Sequence, residues 1–167
     1  MYAFHGARKD PFYSDYIIYS PDVPVFRNDD GALLDETYPC SILTSPAVYA
    51  DGVIKYVPHR KQEIGPVMEK RIRKLLAVAA VHGHTSLVLG AWGCGAFGND
   101  GNLISGLFRG AFEREFSGVF EHVAFAITDW SEERKRPRNR LLLCGWPEGL
   151  GIDILRKQGG KLFGSPG

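Results

Sequence analysis

The residues best placed for chemistry form a glycine-rich segment between a predicted strand and a predicted helix. Glycine occurs four times between residues 90 and 98, directly after the apolar run 87–89. Asn99, Asp100 and Asn102 follow, and such side chains typically cap the start of a helix. Glycine lets a backbone approach an anion closely, and the first N–H groups of a helix lack partners within it. The spacing therefore predicts a loop that holds the diphosphate of a nucleotide-like ligand.

One stretch of this loop, residues 93–98, matches the G-x-G-x-x-G pattern of dinucleotide-binding folds and suggests an NAD-dependent oxidoreductase. In that fold an acidic residue ends the next strand, about 20 residues further along. Here the first acidic residue after the next predicted strand is Asp129, 31 residues beyond Gly98. The first glycine of the match also lies several residues after the strand, so both features disfavour NAD. A loop that serves only a tight turn is a second alternative.

Three other groups of reactive side chains give weaker patterns. Cys94 lies near a helix N-terminus, where thiolates are favoured, but the sequence places no histidine to activate it. His82 and His84 flank Gly83 at a predicted helix end, and without a third ligand they favour helix capping over a metal site. The basic run 134–140 could contact nucleic acid or another polyanion, although such runs are usually solvated. We predict no metal and no cofactor.

The composition predicts one cytoplasmic domain. The chain has 167 residues, enough to bury a core without disulfides, and its formal net charge of +1 does not argue for nucleic acid or an acidic membrane surface as a partner. Its three cysteines, Cys40, Cys94 and Cys144, are odd in number and widely spaced, which indicates a reducing compartment. The N-terminus lacks the apolar stretch of a signal peptide, and no apolar run approaches the roughly 20 residues that span a bilayer. We therefore expect no membrane partner.

Periodicity predicts the elements that must position the loop. The helix from Pro66 to Gly83 repeats apolar residues at steps of three and four, and a second helix from Gly101 to Ser117 follows the loop. The prolines in the range 21–39 predict an irregular connection. Strands are predicted at 16–19, 40–44, 87–89 and 123–127. The alternation of strands and helices indicates an α/β domain with a largely parallel part.

The character of the chain changes near residue 130. A polar, basic stretch follows, and residues 141–167 carry seven glycines with weak periodicity. We therefore predict a domain over residues 1–130 and a basic, glycine-rich C-terminal tail over residues 131–167, with a short strand at 141–143. Four strands and two helices give thin cover for a sheet that is buried on both faces, so the predicted fold is incomplete.

Three segments, 17–27, 44–48 and 89–100, resemble the microbial-type poly(ADP-ribose) glycohydrolase family, a branch of the macrodomain fold, and they occur in the family's order. The resemblance runs from about residue 11 to residue 130. It implies a three-layer α/β/α domain with a mixed sheet that is N-terminally incomplete. It also implies that the loop wraps the diphosphate and ribose of ADP-ribose, with Phe97 against the ligand. The implied binding residues are Trp92, Gly93, Cys94, Gly95, Ala96, Phe97, Gly98 and Asn99.

The sequence departs from the family's pattern at two points. Family members carry their chemistry on a triple-glycine stretch and a Gln-Glu-Glu motif upstream of the Tyr-Ser-Pro segment, and the roughly 16 residues before that segment contain neither. Cleavage of a ribose glycosidic bond needs a carboxyl group to protonate the leaving oxygen. The pair Glu132-Glu133 lacks the glutamine and the glycines, so we assign no catalytic residue. Tyr49 stands where family members commonly have asparagine.

The sequence thus predicts an ADP-ribose-binding protein of a family that hydrolyses ribose–ribose bonds in poly(ADP-ribose), with little or no activity in this chain. The alternatives are a non-catalytic ADP-ribose reader, a truncated remnant and, from another class, the NAD-dependent oxidoreductase. The expected partners are ADP-ribose or poly(ADP-ribose) and ADP-ribosylated proteins.

Incomplete cover of the sheet leads to the first testable prediction. A bare sheet edge and exposed apolar surface favour association between chains. We therefore expect the isolated chain to self-associate or to be unstable, as measured by sedimentation velocity and a thermal melt. A monodisperse monomer that unfolds cooperatively would contradict this expectation.

Overall fold

The computed structural model describes residues 9–28, 30–128, 151–158 and 161–165. Within these ranges it contains six strands, three α-helices and one 3-10 helix. In chain order the elements are β1 (Ile18–Arg27), β2 (Leu33–Thr44), α1 (Ala50–Tyr56), the 3-10 helix (Pro58–Glu63), α2 (Ile64–Val81), β3 (Ser86–Leu89), α3 (Gly101–Glu113), β4 (His122–Thr128), β5 (Gly151–Gln158) and β6 (Lys161–Ser165).

Strands β3 to β6 form one mixed sheet in the order β3-β4-β5-β6. β3 lies parallel to β4, and β4 lies parallel to β5, whereas β6 returns antiparallel to β5. Leu87 pairs with Val123, and Leu89 pairs with Phe125. The prediction of an α/β fold with a mixed sheet is confirmed. The glycine-rich loop leaves the C-terminal end of β3 and leads into α3. Because β3 and β4 are parallel, the loop begins at the edge of the sheet where both strands end.

One hydrophobic core joins the sheet to helices α2 and α3. Alternate residues of β4 are buried, and the ring of Phe108 on α3 meets that of Phe125 edge-on, with 5.6 Å between the centroids. Along α2, Met68, Ile72 and Leu76 are fully buried in the same cluster. These three residues lie on one face of the helix, as the predicted periodicity requires.

The other face of β3 carries an exposed apolar side chain. Val88 alternates with the half-buried Leu87 and Leu89, and 75% of its surface is exposed. Strands of parallel sheets are usually buried on both faces. This part of the described structure agrees with the expectation of self-association, which stays a prediction.

The connection predicted to be irregular is instead an antiparallel hairpin, so that prediction is wrong. β1 and β2 pair from Ile18–Thr44 to Arg27–Leu33, with two register irregularities. Pro24 and Pro39 face each other in the ladder. Proline removes a ladder donor, but both strands of a two-stranded ribbon are edge strands and tolerate it. The prolines are therefore compatible with strands here, because each strand of the hairpin is an edge strand.

A tyrosine joins this hairpin to the end of α2. The hydroxyl of Tyr19 lies 2.9 Å from Nε2 of His84, and its ring stacks on His82 with 3.9 Å between the centroids. The two histidines flank the C-terminal end of α2, where helix capping was predicted for them. They hold the hairpin against the helix.

The helices begin and end near their predicted positions. α2 starts at Ile64, two residues before Pro66. α3 starts at Gly101 as predicted but ends at Glu113 instead of Ser117. The sequence did not predict α1, because seven residues are too short for a clear apolar repeat.

Two strands fall within the segment predicted to be a tail. Backbone pairing joins β5 to β4 along the whole of β4. The boundary at residue 130, and with it the division into 1–130 and 131–167, stays a prediction. The predicted strand at 141–143 and the basic run 134–140 lie outside the described residues.

A buried arginine on α2 fixes two loop segments to the helix. Arg71 is only 2% exposed. Its Nε donates to the carboxylate of Asp15 at 2.9 Å, its Nη1 to the carbonyl of Pro46 at 3.1 Å and its Nη2 to the carbonyl of Phe12 at 2.6 Å. The planar guanidinium can satisfy several acceptors in fixed directions. Residues 12–15 and the segment after β2 are therefore held in one geometry.

The carboxylate of Asp15 completes this arrangement. Nζ of Lys70 lies 2.6 Å from its second oxygen. The hydrogen bond from Lys70, together with the hydrogen bond and charge of Arg71, holds the pKa of Asp15 below its ordinary value, although partial burial opposes the change. The ionised form is thus the one that the fold stabilises.

We predict that Asp15→Asn lowers the free energy of unfolding by about 2 kcal/mol at neutral pH, because the buried Arg71 loses its carboxylate. The folded pKa of Asp15 is lower than its ordinary value of 3.8. Its stabilising effect is therefore complete above that value and is lost as the pH falls through the folded pKa. Urea unfolding between about pH 7 and pH 3 should show the gap between wild type and variant closing.

The control is Asp35→Asn, which changes an exposed carboxylate on β2. Its effect should stay within about 0.5 kcal/mol at neutral pH. A wild-type advantage over Asp15→Asn that persists undiminished in acid would contradict the prediction.

Candidate ligand-binding cleft

A cleft opens between the glycine-rich loop, the end of β2 and the segment before β1. Its volume is about 430 Å³, within the range of about 300–1,000 Å³ that is usual for ligand pockets. The described residues that line it are Tyr13, Thr44, Ser45, Pro46, Ala47, Trp92, Gly93, Gly95, Ala96 and Phe97. Three separate stretches of chain meet here, and Arg71 holds two of them in place.

The buried side chain of Asn99 determines how the loop folds. Its Nδ2 lies 2.7 Å from the carbonyl oxygen of Val48 and 3.1 Å from that of Gly93, and its backbone N–H also donates to Gly93 at 3.0 Å. Asn99 is completely buried, so water cannot replace these bonds. One residue therefore fastens the loop to the segment that follows β2.

Two glycines are required by the backbone and by close packing. Gly93 has φ +74°, and a Cβ there would lie 2.5 Å from Nδ2 of Asn99 and 2.7 Å from Cβ of Ala47. Gly98 has φ +72°, and a Cβ there would overlap the carboxylate of Asp51 on α1. Both positions are in the left-handed region, which glycine adopts without steric cost.

The tip of the loop carries amide groups that could bind an anion. Among the described residues, the N–H groups of Gly95, Ala96 and Phe97 have no hydrogen-bond acceptor, and all three residues line the cleft. Successive free amides of this kind form anion-binding concavities. The helix offers less than the sequence predicted, because Asp100 caps α3 by accepting two of its first N–H groups at 2.7 and 3.2 Å.

Aromatic rings form one wall of the cleft. Phe97 lies between Tyr13 and Tyr49, with 5.9 and 5.5 Å between the ring centroids. Tyr49 is not a lining residue and supports Phe97. The N–H of Asp51 on α1 donates to the carbonyl of Phe97 at 3.1 Å and holds it further. Phe97 and Trp92 thus give the cleft apolar ring surfaces of the kind that nucleosides pack against.

Five of the eight predicted binding residues line the cleft and three do not. The lining residues are Trp92, Gly93, Gly95, Ala96 and Phe97. The other three, Cys94, Gly98 and Asn99, support the loop. Sequence reasoning missed Tyr13 as a lining residue, because nothing in the mixed N-terminal segment distinguishes it. The segment 44–48 is one of the three that resemble the family, and its place in the cleft lining could have been inferred from that resemblance.

Cys94 is not suited to act as a nucleophile. It is buried, and its burial, with a smaller contribution from the charge of Asp100, raises the pKa of its thiol to about 11. Because the thiolate is the reactive form, the thiol is inert at neutral pH. Its role is to fill space under the loop.

The described lining residues carry no carboxyl group. Glu132 and Glu133 lie outside the described residues. Within the described ranges, no cluster of three or more His, Cys, Asp or Glu side chains could hold a metal ion. The helices described there are too short or too polar to cross a membrane.

Comparisons with known proteins identify relatives of this chain. The family model for the catalytic domain of microbial-type poly(ADP-ribose) glycohydrolases matches residues 1–28. No curated protein matches the chain significantly. The crystal structure of poly(ADP-ribose) glycohydrolase from Deinococcus radiodurans in complex with ADP-ribose is 41% identical, with a TM-score of 0.75 over 84% of this chain and 55% of that one. The enzyme from Thermomonospora curvata is 46% identical, with a TM-score of 0.74 over 84% of this chain and 51% of that one.

Both solved relatives are poly(ADP-ribose) glycohydrolases, the family that the sequence motifs resemble. The chain spans about half the length of each relative, and the match covers most of the chain. Sequence identities of 41 and 46%, together with the same fold, indicate a family relationship and not only a shared architecture. The chain therefore belongs to the microbial-type poly(ADP-ribose) glycohydrolase family.

Proposed function

We propose that the cleft binds ADP-ribose, with the diphosphate held by the amides of Gly95, Ala96 and Phe97. The observation that carries this proposal is the row of three amides without acceptors among the described residues, set beside aromatic rings in one cleft. A diphosphate needs donors that a backbone can supply, and the adenosine or ribose needs flat apolar surface. Crystals of the Deinococcus radiodurans relative contain ADP-ribose, which supports the same ligand here.

The supporting residues have a defined part in this proposal. Gly93 and Asn99 shape the turn that exposes the three amides, while Trp92 and Phe97 provide ring surfaces. Cys94 and Gly98 pack beneath or beside the turn and contact no ligand.

We further propose that the described residues supply binding and not hydrolysis of poly(ADP-ribose). A glycosidase needs a carboxyl group at the scissile bond, and the described lining residues carry none. The chain then acts as a binding unit of the glycohydrolase family. Its partners are ADP-ribose, poly(ADP-ribose) and proteins that carry these groups, in the cytoplasm.

Calorimetry with ADP-ribose tests the proposed ligand. We expect saturable binding with a Kd below about 1 mM, and weaker binding of NAD, which shares the diphosphate but not the free terminal ribose. Incubation of the same protein with poly(ADP-ribose) should release no ADP-ribose. Absence of heat at millimolar ADP-ribose would refute the binding proposal, and release of ADP-ribose would refute the absence of hydrolysis.

A pair of glycine substitutions tests the geometry of the loop. Gly93→Ala should lower the free energy of unfolding by about 1–3 kcal/mol and weaken ADP-ribose binding, because the new Cβ would push against Asn99 and Ala47. Gly95→Ala is the matched control, since a Cβ there meets nothing within 4 Å. Its stability should change by less than about 0.5 kcal/mol. Equal loss of stability in the two variants, measured by urea unfolding, would contradict this account of the turn.

A further inference from the structure

The ring of Tyr49 lies behind the cleft and packs on the backbone of α1. Tyr49 is half-buried and does not line the cleft. Its ring is so close to Gly52, on the first turn of α1, that a Cβ at Gly52 would overlap three carbons of the ring. Gly52 is helical, so glycine is needed there for space and not for an unusual backbone conformation.

Backbone hydrogen bonds anchor Tyr49 to two segments of the chain. Its N–H donates to the carbonyl of Pro11 at 2.8 Å, and its own carbonyl accepts from the N–H of Val53 at 2.9 Å. Pro11 and Val53 are both buried. The ring of Tyr49 therefore projects from a residue whose backbone cannot shift without the loss of buried hydrogen bonds.

Phe97 is held separately at its backbone and at its ring. Its carbonyl accepts a hydrogen bond from the N–H of Asp51 at 3.1 Å. Its ring is tilted by 49° to that of Tyr49 and by 33° to that of Tyr13, at centroid distances that are usual for aromatic pairs. Truncation of the Tyr49 side chain would leave the backbone bond in place. The ring of Phe97 would lose a support and could turn into the space beside Gly52.

We propose that Tyr49 is a positioning residue that holds the ring of Phe97 in the cleft and thereby sets the selectivity of the cleft for nucleotides over bare diphosphates. This inference rests on the proposed function of the cleft. The amides of Gly95, Ala96 and Phe97 would bind a diphosphate whatever is attached to it. The ring of Phe97 packs against the flat, apolar part of a nucleoside. The affinity that depends on Tyr49 is therefore the part that separates ADP-ribose from inorganic pyrophosphate.

Calorimetry of the full chain with ADP-ribose and with inorganic pyrophosphate tests this selectivity. Tyr49→Ala should weaken ADP-ribose binding by about fivefold to tenfold, which is the usual effect of losing one aromatic contact to a nucleotide. Pyrophosphate binding should change by less than about twofold, because the hydrogen bond from Asp51 still holds the backbone of the loop. Tyr49→Phe keeps the ring and should retain wild-type affinity for both ligands.

Tyr56→Ala is the matched control. It truncates a second tyrosine of α1, whose side chain is 63% exposed and does not line the cleft, and it should leave both affinities unchanged. Gly52→Ala is a second test variant, in which the added methyl group displaces the ring of Tyr49 without removing it. It should lower ADP-ribose affinity alone, and it tests the inference if Tyr49→Ala does not fold.

A double-mutant cycle tests whether Tyr49 acts through Phe97. Phe97→Ala should weaken ADP-ribose binding at least as much as Tyr49→Ala does. Tyr49→Ala added to Phe97→Ala should then cause no further loss beyond about twofold, because the ring that it positions is already absent. A residue that merely stabilises the fold would instead give additive losses.

The outcomes separate the inference from the proposed function. Equal losses for both ligands, additive losses in the cycle, or unchanged ADP-ribose affinity in Tyr49→Ala would overturn the role of Tyr49, while binding by wild type and the proposed function stand. Wild type that binds ADP-ribose but no pyrophosphate would overturn the division between amides and ring. Failure of wild type to bind ADP-ribose would overturn the proposed function and the inference with it. A loss confined to ADP-ribose in Tyr49→Ala and Gly52→Ala, and absent in Tyr49→Phe, supports the inference.

Discussion

Arg71 is almost fully buried, and each side of its guanidinium group meets an acceptor from a different loop. A buried charge without partners would be costly, so the loops that supply its acceptors have little freedom to move away. Those loops are the segment with Tyr13 and the segment from Thr44 to Ala47, which form two sides of the first cleft. Arg71 and Asp15 also line a second cleft of about 390 Å³, which shares Tyr13 with the first. Both clefts therefore depend on one charge placed on the central turns of α2.

The third side of the first cleft is built differently, from backbone hydrogen bonds and close packing. Asn99 replaces water as the partner of two carbonyl groups, and the positive φ of Gly93 lets the chain turn tightly enough to reach it. Side chains thus support the site from within, while backbone amides are left for the ligand. Such a site tolerates change in the residues at its tip more readily than change in those beneath it.

The sequence predicted the main periodic elements, since β3, α2, α3 and β4 each carry a clear apolar repeat. For β1 and β2 it predicted only the paired outer ends, at 16–19 and 40–44, because the prolines between them were taken as strand breakers, whereas both strands are edge strands. The glycine-rich loop was found from its spacing and from the family resemblance. The division of its eight residues into lining and supporting ones could not be predicted, because it depends on which side chains point into the core. Tyr13 was beyond sequence reasoning for a similar reason: the long-range hydrogen bonds from Arg71 to Phe12 and Asp15 hold its segment beside the cleft.

The thiol of Cys94 has a further consequence for how such a site behaves in a cell. Oxidants attack the thiolate form of cysteine, and accessibility sets the rate. Cys94 is 3% exposed and its pKa is raised to about 11, so it presents almost no thiolate to peroxide or to a passing disulfide. An exposed cysteine of low pKa at this position would make the loop sensitive to oxidants. Here burial keeps the thiol protonated and out of reach, so Cys94 is a poor target for oxidation although it lies in the loop.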